Sequence, residues 1–338
     1  MDRVAGQGGS ADLSRFRRLA NITIGATLLL IVVGGVVRVS DSGLGCGPAG
    51  SGTQGWPLCD GRVLPLIELN TLIEFSHRLL ASIVAVLIGL LVWRALRDLR
   101  SERWLVRGAV AAGVLVLAQA ALGGLTVENN LHEVLVASHL GLAMLLLAVL
   151  IGLSWAAQPA AGRTAAAPAV GGVRAAALGA CVLLLATIVA GGYVAGTEEE
   201  GVANGAGGGA HLACGDQFPE CNGSLFPFGD NRLVDIQLVH RGLMAATVLA
   251  VLGFAALALR SGAGRRLLAL LLAIVAAQVL LGAVNVWAGK EPELVLAHLT
   301  LGTALWGTML VNALALFSVP APRTARVEGT PERLAAPA

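Results

Sequence analysis

Histidine is scarce in this sequence, six in 338 residues, and four of the six recur at corresponding places: His77, His139, His240 and His298. Each stands one or two helical turns inside one end of a long apolar run. An ionisable side chain among lipid tails is costly and marks a functional position. Two imidazoles at equal depth on separate helices suit axial ligation of a haem iron from both faces. His77 with His139, and His240 with His298, supply that arrangement twice. The competing reading is four separate polar contacts between helices. His132 and His211 fall between runs, have no counterpart and read as solvated.

The surroundings of the two pairs differ. Glu74 lies one turn before His77, on the same helix face; the corresponding residue in the second half is Gln237. Arg38 closes the first apolar run, where the second half has Ala195. A carboxylate at membrane depth beside a haem edge suits proton transfer. The alternative for Glu74 is a hydrogen bond that orients His77. Arg78 and Arg241 directly follow their histidines and read either as charge partners for haem propionates or as side chains that snorkel to headgroups. Cys46 with Cys59, and Cys214 with Cys221, fall in two long loops on one side of the membrane. In an oxidising compartment these are two local disulfides. A thiol pair that relays electrons to a haem is the alternative, and spacing does not choose between them. Cys181 sits inside an apolar run and reads as a small hydrophobe.

The elements that must position these residues are membrane spans. With 56% hydrophobic and 13% charged residues, the composition departs from that of a soluble domain. Eight runs are long enough to cross the hydrocarbon layer, near 19–39, 69–93, 107–127, 134–155, 173–195, 235–259, 266–287 and 294–317. Seventeen of the 23 basic residues lie before the first run, after the last, or in the second, fourth and sixth connections. The positive-inside rule then puts both termini in the cytoplasm. Nothing in the pattern points to nucleic acid as a partner; lipid is the surroundings.

The spans repeat. Gln119 and Gly123 recur as Gln278 and Gly282, and His139 as His298, all shifted by 159 positions; His77-Arg78 recurs as His240-Arg241, shifted by 163; Gly34-Gly35 recurs as Gly191-Gly192, shifted by 157. This argues for a duplicated four-helix unit. The expected fold is all-α, with eight transmembrane helices as two tandem four-helix bundles related by a pseudo-two-fold axis along the membrane normal. The expected divisions are a cytoplasmic tail at 1–18, a first bundle at 19–155, a linker at 156–172, a second bundle at 173–317 and a cytoplasmic tail at 318–338. The glycine pairs allow close helix packing.

Taken together, these residues resemble the haem A synthase family of membrane oxidoreductases over roughly 19–317. The carrying features are Gly34-Gly35 with Arg38; Ser42-Gly43-Leu44 leading to Cys46; Trp56-Pro57-Leu58-Cys59; Glu74-Phe75-Ser76-His77-Arg78; Gln119 with Gly123-Gly124; His139; Cys214 with Cys221; His240-Arg241; Gln278; and His298. The resemblance implies oxidation of the C8 methyl of haem O to a formyl group. Two successive hydroxylations, the second losing water, would give haem A for cytochrome c oxidase. It implies a resident haem b on His240 and His298, and haem O on His77 and His139 with Glu74 as catalytic acid or base. It also implies a bacterial inner-membrane location, an electron acceptor that the sequence does not identify, and a protohaem farnesyltransferase as the partner that makes haem O. One departure is the first loop. Family members usually have fewer residues between these cysteines, whereas here a Gly/Ser-rich insertion, 47–55, leaves 12. A flexible loop lengthens at little entropic cost, so a disulfide can still close. The acidic, glycine-rich stretch 198–209 has no reading.

Three rivals share some of these features. A b-type di-haem electron-transfer protein suits the duplicated histidines but not the Glu74/Gln237 asymmetry. A thiol–quinone oxidoreductase would need a reactive Cys-X-X-Cys, which is missing. A transporter explains duplication but not four histidines at one depth.

Overall fold

The computed structural model describes residues 2–65, 67–158, 172–197, 208–262, 264–289 and 291–316. Among them are eight long helices: α1 (Asp2–Val39), α2 (Leu69–Asp98), α3 (Arg103–Glu128), α4 (Glu133–Ala156), α5 (Val173–Gly196), α6 (Arg232–Arg260), α7 (Arg265–Trp287) and α8 (Pro292–Ala315). All eight are long and apolar enough to cross a membrane. Lipid offers no hydrogen bonds to the backbone, so apolar runs of this length satisfy their amides internally as helix. The protein is a multi-pass, all-helical membrane protein. Most of the expected linker and C-terminal tail, and residues 198–207 of the glycine-rich stretch, lie outside the described residues.

Several helices outrun their apolar cores. α2 continues to Asp98, past the expected end at 93, because arginines extend it into the interface without breaking it. The Arg97 guanidinium lies 5.2 Å from the centre of the Trp93 ring. The larger difference is at the N-terminus. Residues 1–18 were expected as a tail, but α1 is helical from Asp2. Leu13, Phe16 and Ala20 share one face of it and are buried with Leu99, Leu105 and Leu153. That apolar face, at spacings of three and four, anchors the segment below the α2–α3 connection.

The neighbours form two rings that share a seam. α1 and α3 each pack on α2 and α4; α5 and α7 each pack on α6 and α8. Between the rings, α4 meets α5 and α8, and α1 meets α8. Glycines set this seam. A Cβ on Gly35 of α1 would lie 2.6 Å from Leu299 Cδ2 and 2.8 Å from Leu296 Cδ1 of α8. One on Gly192 of α5 would lie 3.0 Å from Leu140 Cδ2 of α4 and 3.5 Å from Ala137 Cα. Only a missing side chain lets backbones approach this closely. The Trp306 indole of α8 donates to the Met144 carbonyl of α4 at 2.9 Å, which adds a buried polar contact across the seam.

Candidate functional site

Each of the four histidines leans on a glycine of the preceding helix. A Cβ on Gly34 would lie 3.0 Å from His77 Cε1; on Gly123, 3.2 Å from His139 Cε1; on Gly191, 2.9 Å from His240 Cε1; on Gly282, 3.1 Å from His298 Cε1. The odd-numbered helices thus supply notches and the even-numbered helices supply rings. The two glycines of each pair divide their work. Gly34 and Gly191 face the imidazoles, and Gly35 and Gly192 face the seam.

His77 stands on α2 and His139 on α4, His240 on α6 and His298 on α8. Their helices, α2 with α4 and α6 with α8, face each other across a ring rather than packing side by side. The expected partners thus stand on helices that lie opposite one another within each ring. Nδ1 of His77, His139 and His298 is buried without a hydrogen bond, whereas His240 Nδ1 lies 3.1 Å from the Thr187 carbonyl. Buried imidazole nitrogens left unpaired are expensive unless a ligand completes them. Gln119 and Gln278 brace the second member of each pair from behind. Gln119 Nε2 donates to the His139 carbonyl at 2.8 Å, and Gln278 Nε2 to the His298 carbonyl at 3.1 Å. Gln278 Nε2 also lies 3.2 Å from His298 Nε2.

Glu74 is buried, and its carboxylate is already engaged. One oxygen accepts from the Cys46 backbone N–H at 2.7 Å, and the other accepts from the Arg78 guanidinium. No hydrogen bond links Glu74 to His77 among the described residues. Gln237, in the matching place, is buried with its side-chain oxygen unpaired. Arg78 reaches outward as well as to Glu74. Its Nη1 donates to the carbonyls of Gly55 at 2.6 Å and Leu58 at 2.8 Å. Arg241 does the same in its own half, donating to Gln217 O at 3.0 Å and Glu220 O at 2.9 Å. Gly55 and Gln217, like Leu58 and Glu220, are 162 positions apart. Arg38 reaches into the other half. Its Nη2 and Nε donate to the Ala195 carbonyl of α5 at 2.7 and 3.2 Å, and its Nη1 to Asp41 Oδ1 at 3.3 Å.

Both cysteine pairs are disulfide-bonded, Cys46 to Cys59 and Cys214 to Cys221. The insertion in the first loop does not prevent closure: residues 52–54 form a short 3₁₀ turn, and Asp60 N–H donates back to the Cys46 carbonyl at 2.9 Å. Each disulfide closes on the same small hairpin, bridged from Cys59 to Arg62 and from Cys221 to Ser224. The repeat carrying it is Trp56-Pro57-Leu58-Cys59-Asp60-Gly61 against Phe218-Pro219-Glu220-Cys221-Asn222-Gly223. Asp60, Gly61, Asn222 and Gly223 all take positive φ, which Asp, Asn and Gly tolerate. This motif was readable from the sequence at a constant shift, yet the histidine and glycine repeats do not reveal it. The Trp56 ring covers Gly124 of α3, where a Cβ would come within 2.8 Å of the indole. The Phe218 ring stands edge-on to Trp287 of α7, centroids 6.3 Å apart. Of the remaining cysteine and histidines, Cys181 is buried in the core, His132 caps α4 and is exposed, and His211 sits in a 3₁₀ turn.

Known proteins share this pattern. Residues 17–310 match the model of a family described as cytochrome oxidase assembly protein. The chain is 33% identical to a Heme A synthase from Shouchella clausii over 242 residues, covering 70% of this chain and 73% of that one. It is 31% identical to a Heme A synthase from Symbiobacterium thermophilum over 303 residues, covering 86% of this chain and 91% of that one. With the family model matched over most of its length, this chain belongs to the cytochrome oxidase assembly protein family.

Proposed function

We propose that this protein is a haem A synthase, which oxidises the C8 methyl of haem O to a formyl group for supply to cytochrome c oxidase. One observation carries the reading: four half-buried imidazoles, each set in a glycine notch, stand on helices that oppose one another across two rings. Imidazole nitrogens left unpaired, on rings seated against the glycines, suit ligation of a metal at the centre of a flat macrocycle. The names and coverage of the relatives support the same chemistry.

The halves take different tasks. His240 and His298 would hold a resident haem b, which supplies one-electron transfer when bound. His77 and His139 would present haem O, the substrate, to the residues that only the first half has. Glu74 is the acid or base for the methyl oxidation. Arg78, already bonded to it, holds the carboxylate at the edge of the site and positions it against the first loop. Arg78, Arg241 and Arg38 remain the charge partners for substrate or cofactor carboxylates at the outer face. Converting a methyl to a formyl removes four electrons from that carbon, so two rounds of two-electron oxidation are needed, with an acceptor outside this chain. The setting we infer is a bacterial inner membrane with both termini cytoplasmic. Each half is a four-helix bundle, and the two are related by an axis along the membrane normal. A protohaem farnesyltransferase would deliver the substrate.

The test is extraction and chromatography of the pigment after co-expression with a haem O source. Haem A or its hydroxylated precursor is expected beside haem b. Haem b alone, with haem O unconsumed, would instead make the protein a di-haem electron carrier. Glu74→Gln is expected to keep haem b and abolish haem A; normal haem A in that variant removes Glu74 from the chemistry.

A further inference from the structure

The segment that follows each disulfide hairpin carries apolar side chains where a loop facing water would carry polar ones. In the first half, Val63 and Leu64 are 77% and 75% exposed, and Ile67 is 92% exposed. In the second half, Leu225, Phe226 and Phe228 are 53%, 75% and 55% exposed. The two segments are repeat equivalents. Val63-Leu64-Pro65 and Leu225-Phe226-Pro227 are 162 positions apart, the same shift that relates the hairpins. The residue identities have diverged while the apolar character has stayed. A lone exposed Leu needs no explanation, but a contiguous apolar patch does. A patch placed twice at the same site is a feature of the fold.

Its position identifies what covers it. Ile67 is two residues before α2 begins, and Phe228 is four before α6. At no more than about 3.5 Å per residue, both lie within roughly 15 Å of a helix mouth. Past Glu68 the first segment leads into the outward side chains of α2, Leu69 at 74% and Leu79 at 53% exposed, on the span itself. Charged residues flank rather than interrupt the patches, Arg62 and Glu68 on one and Asp230 and Arg232 on the other. That is the arrangement of a segment lying in the membrane interface, with apolar side chains down and charges up. The hairpins themselves are held by Arg78 and Arg241, so the segments leave them in a fixed direction.

We infer that residues 63–65 with Ile67, and residues 225–228, are paired lips that dip into the outer leaflet and are covered by lipid, one in each half of the chain. They tie each disulfide hairpin to the membrane surface. The inference needs only the membrane orientation and is independent of the reaction assigned to the histidines.

Site-directed spin labelling in liposomes tests it. The full-length Cys181→Ala protein carries a label at Leu64→Cys or Phe226→Cys. Leu79→Cys serves as the acyl-chain reference and Gln54→Cys as the aqueous one. Collision with oxygen and with a water-soluble nickel chelate is read at each site. Both lip labels are expected to show the high-oxygen, low-nickel ratio of Leu79→Cys. A nickel-accessible ratio like that of Gln54→Cys overturns the inference in favour of an aqueous loop. Low access to both probes overturns it in favour of a protein partner or a second copy of the chain. Where a new cysteine disturbs the native disulfides, seen as loss of pigment, p-benzoylphenylalanine at positions 64 and 226 replaces it. Photocrosslinks to phospholipid are then the expected product, and crosslinks to protein, or none above the yield of the same probe at position 54, count against the lips.

Discussion

A glycine whose absent side chain is filled by an imidazole ring fixes where that ring can go. At Gly191 even a methyl would stand 2.9 Å from His240 Cε1, closer than a normal contact. Gly191→Leu is therefore expected to push His240 out of line and yield protein lacking the haem proposed for that half. Absorbance of the purified membrane protein reads this directly. Gly34→Leu should leave that pigment in place and block only haem A formation, because its ring is His77 in the other half. Equal pigment loss in both variants would mean that the glycines serve folding rather than the rings. The histidines and the notch glycines were legible in the sequence as a repeat; what each glycine faces was not, since residue type does not reveal direction. Glu74 was legible by depth and by its Gln237 counterpart. Its ties to Cys46 N–H and Arg78 were hidden, because one partner is a backbone amide whose position depends on the fold of a loop.

At the scale of elements, each disulfide hairpin depends on one arginine that crosses from a span to loop carbonyls, two for Arg78 and three for Arg241. A hydrogen bond to a charged group is worth about 1.5–3 kcal/mol. Removing the pair at Arg78 should raise hairpin opening by about tenfold or more. Arg78→Gln is expected to speed reduction of Cys46–Cys59 by a mild water-soluble reductant while Cys214–Cys221 keeps its rate; Arg241→Gln should do the reverse. Mass spectrometry after alkylation separates the two loops, and unchanged rates in both variants would leave the arginines without this role. The helices were readable from their apolar runs, with ends displaced where arginines or a short amphipathic face carry the helix onward, as at Asp98 and at Leu13 and Phe16. The hairpin repeat was harder to see. Its cysteines are 13 apart in one half and 7 in the other, so matching the pairs as units hides the constant spacing of the residues around the second cysteine. The arginine contacts had no sequence signal at all, since their acceptors are main-chain oxygens.

At the scale of the molecule, two seam contacts are copies of one another. Gly35 meets Leu296 and Leu299, and Gly192 meets Ala137 and Leu140. Gly35 and Gly192 are 157 apart, and the partner positions are 159 apart. Gly35→Leu and Gly192→Leu should each lower stability by about 1–3 kcal/mol, the usual penalty for overpacking. Thermal unfolding in detergent measures it. Gly25→Leu, where nothing lies within 4 Å, is the control expected to change little. A seam variant as stable as that control would mean the two rings can slide apart without loss.

Arg38 and Ala195 are themselves repeat equivalents, and the guanidinium of the first reaches the carbonyl of the second. Under the two-fold relation proposed above, counterpart positions that touch lie beside the axis about which one half is turned onto the other. Room there is shared: a long cation contributed by both copies would crowd two like charges into one space, so the ancestral unit, once doubled, could keep such a side chain in one half only. The chemical difference between the halves at this position thus follows from geometry before any division of labour between the two sites selects for it.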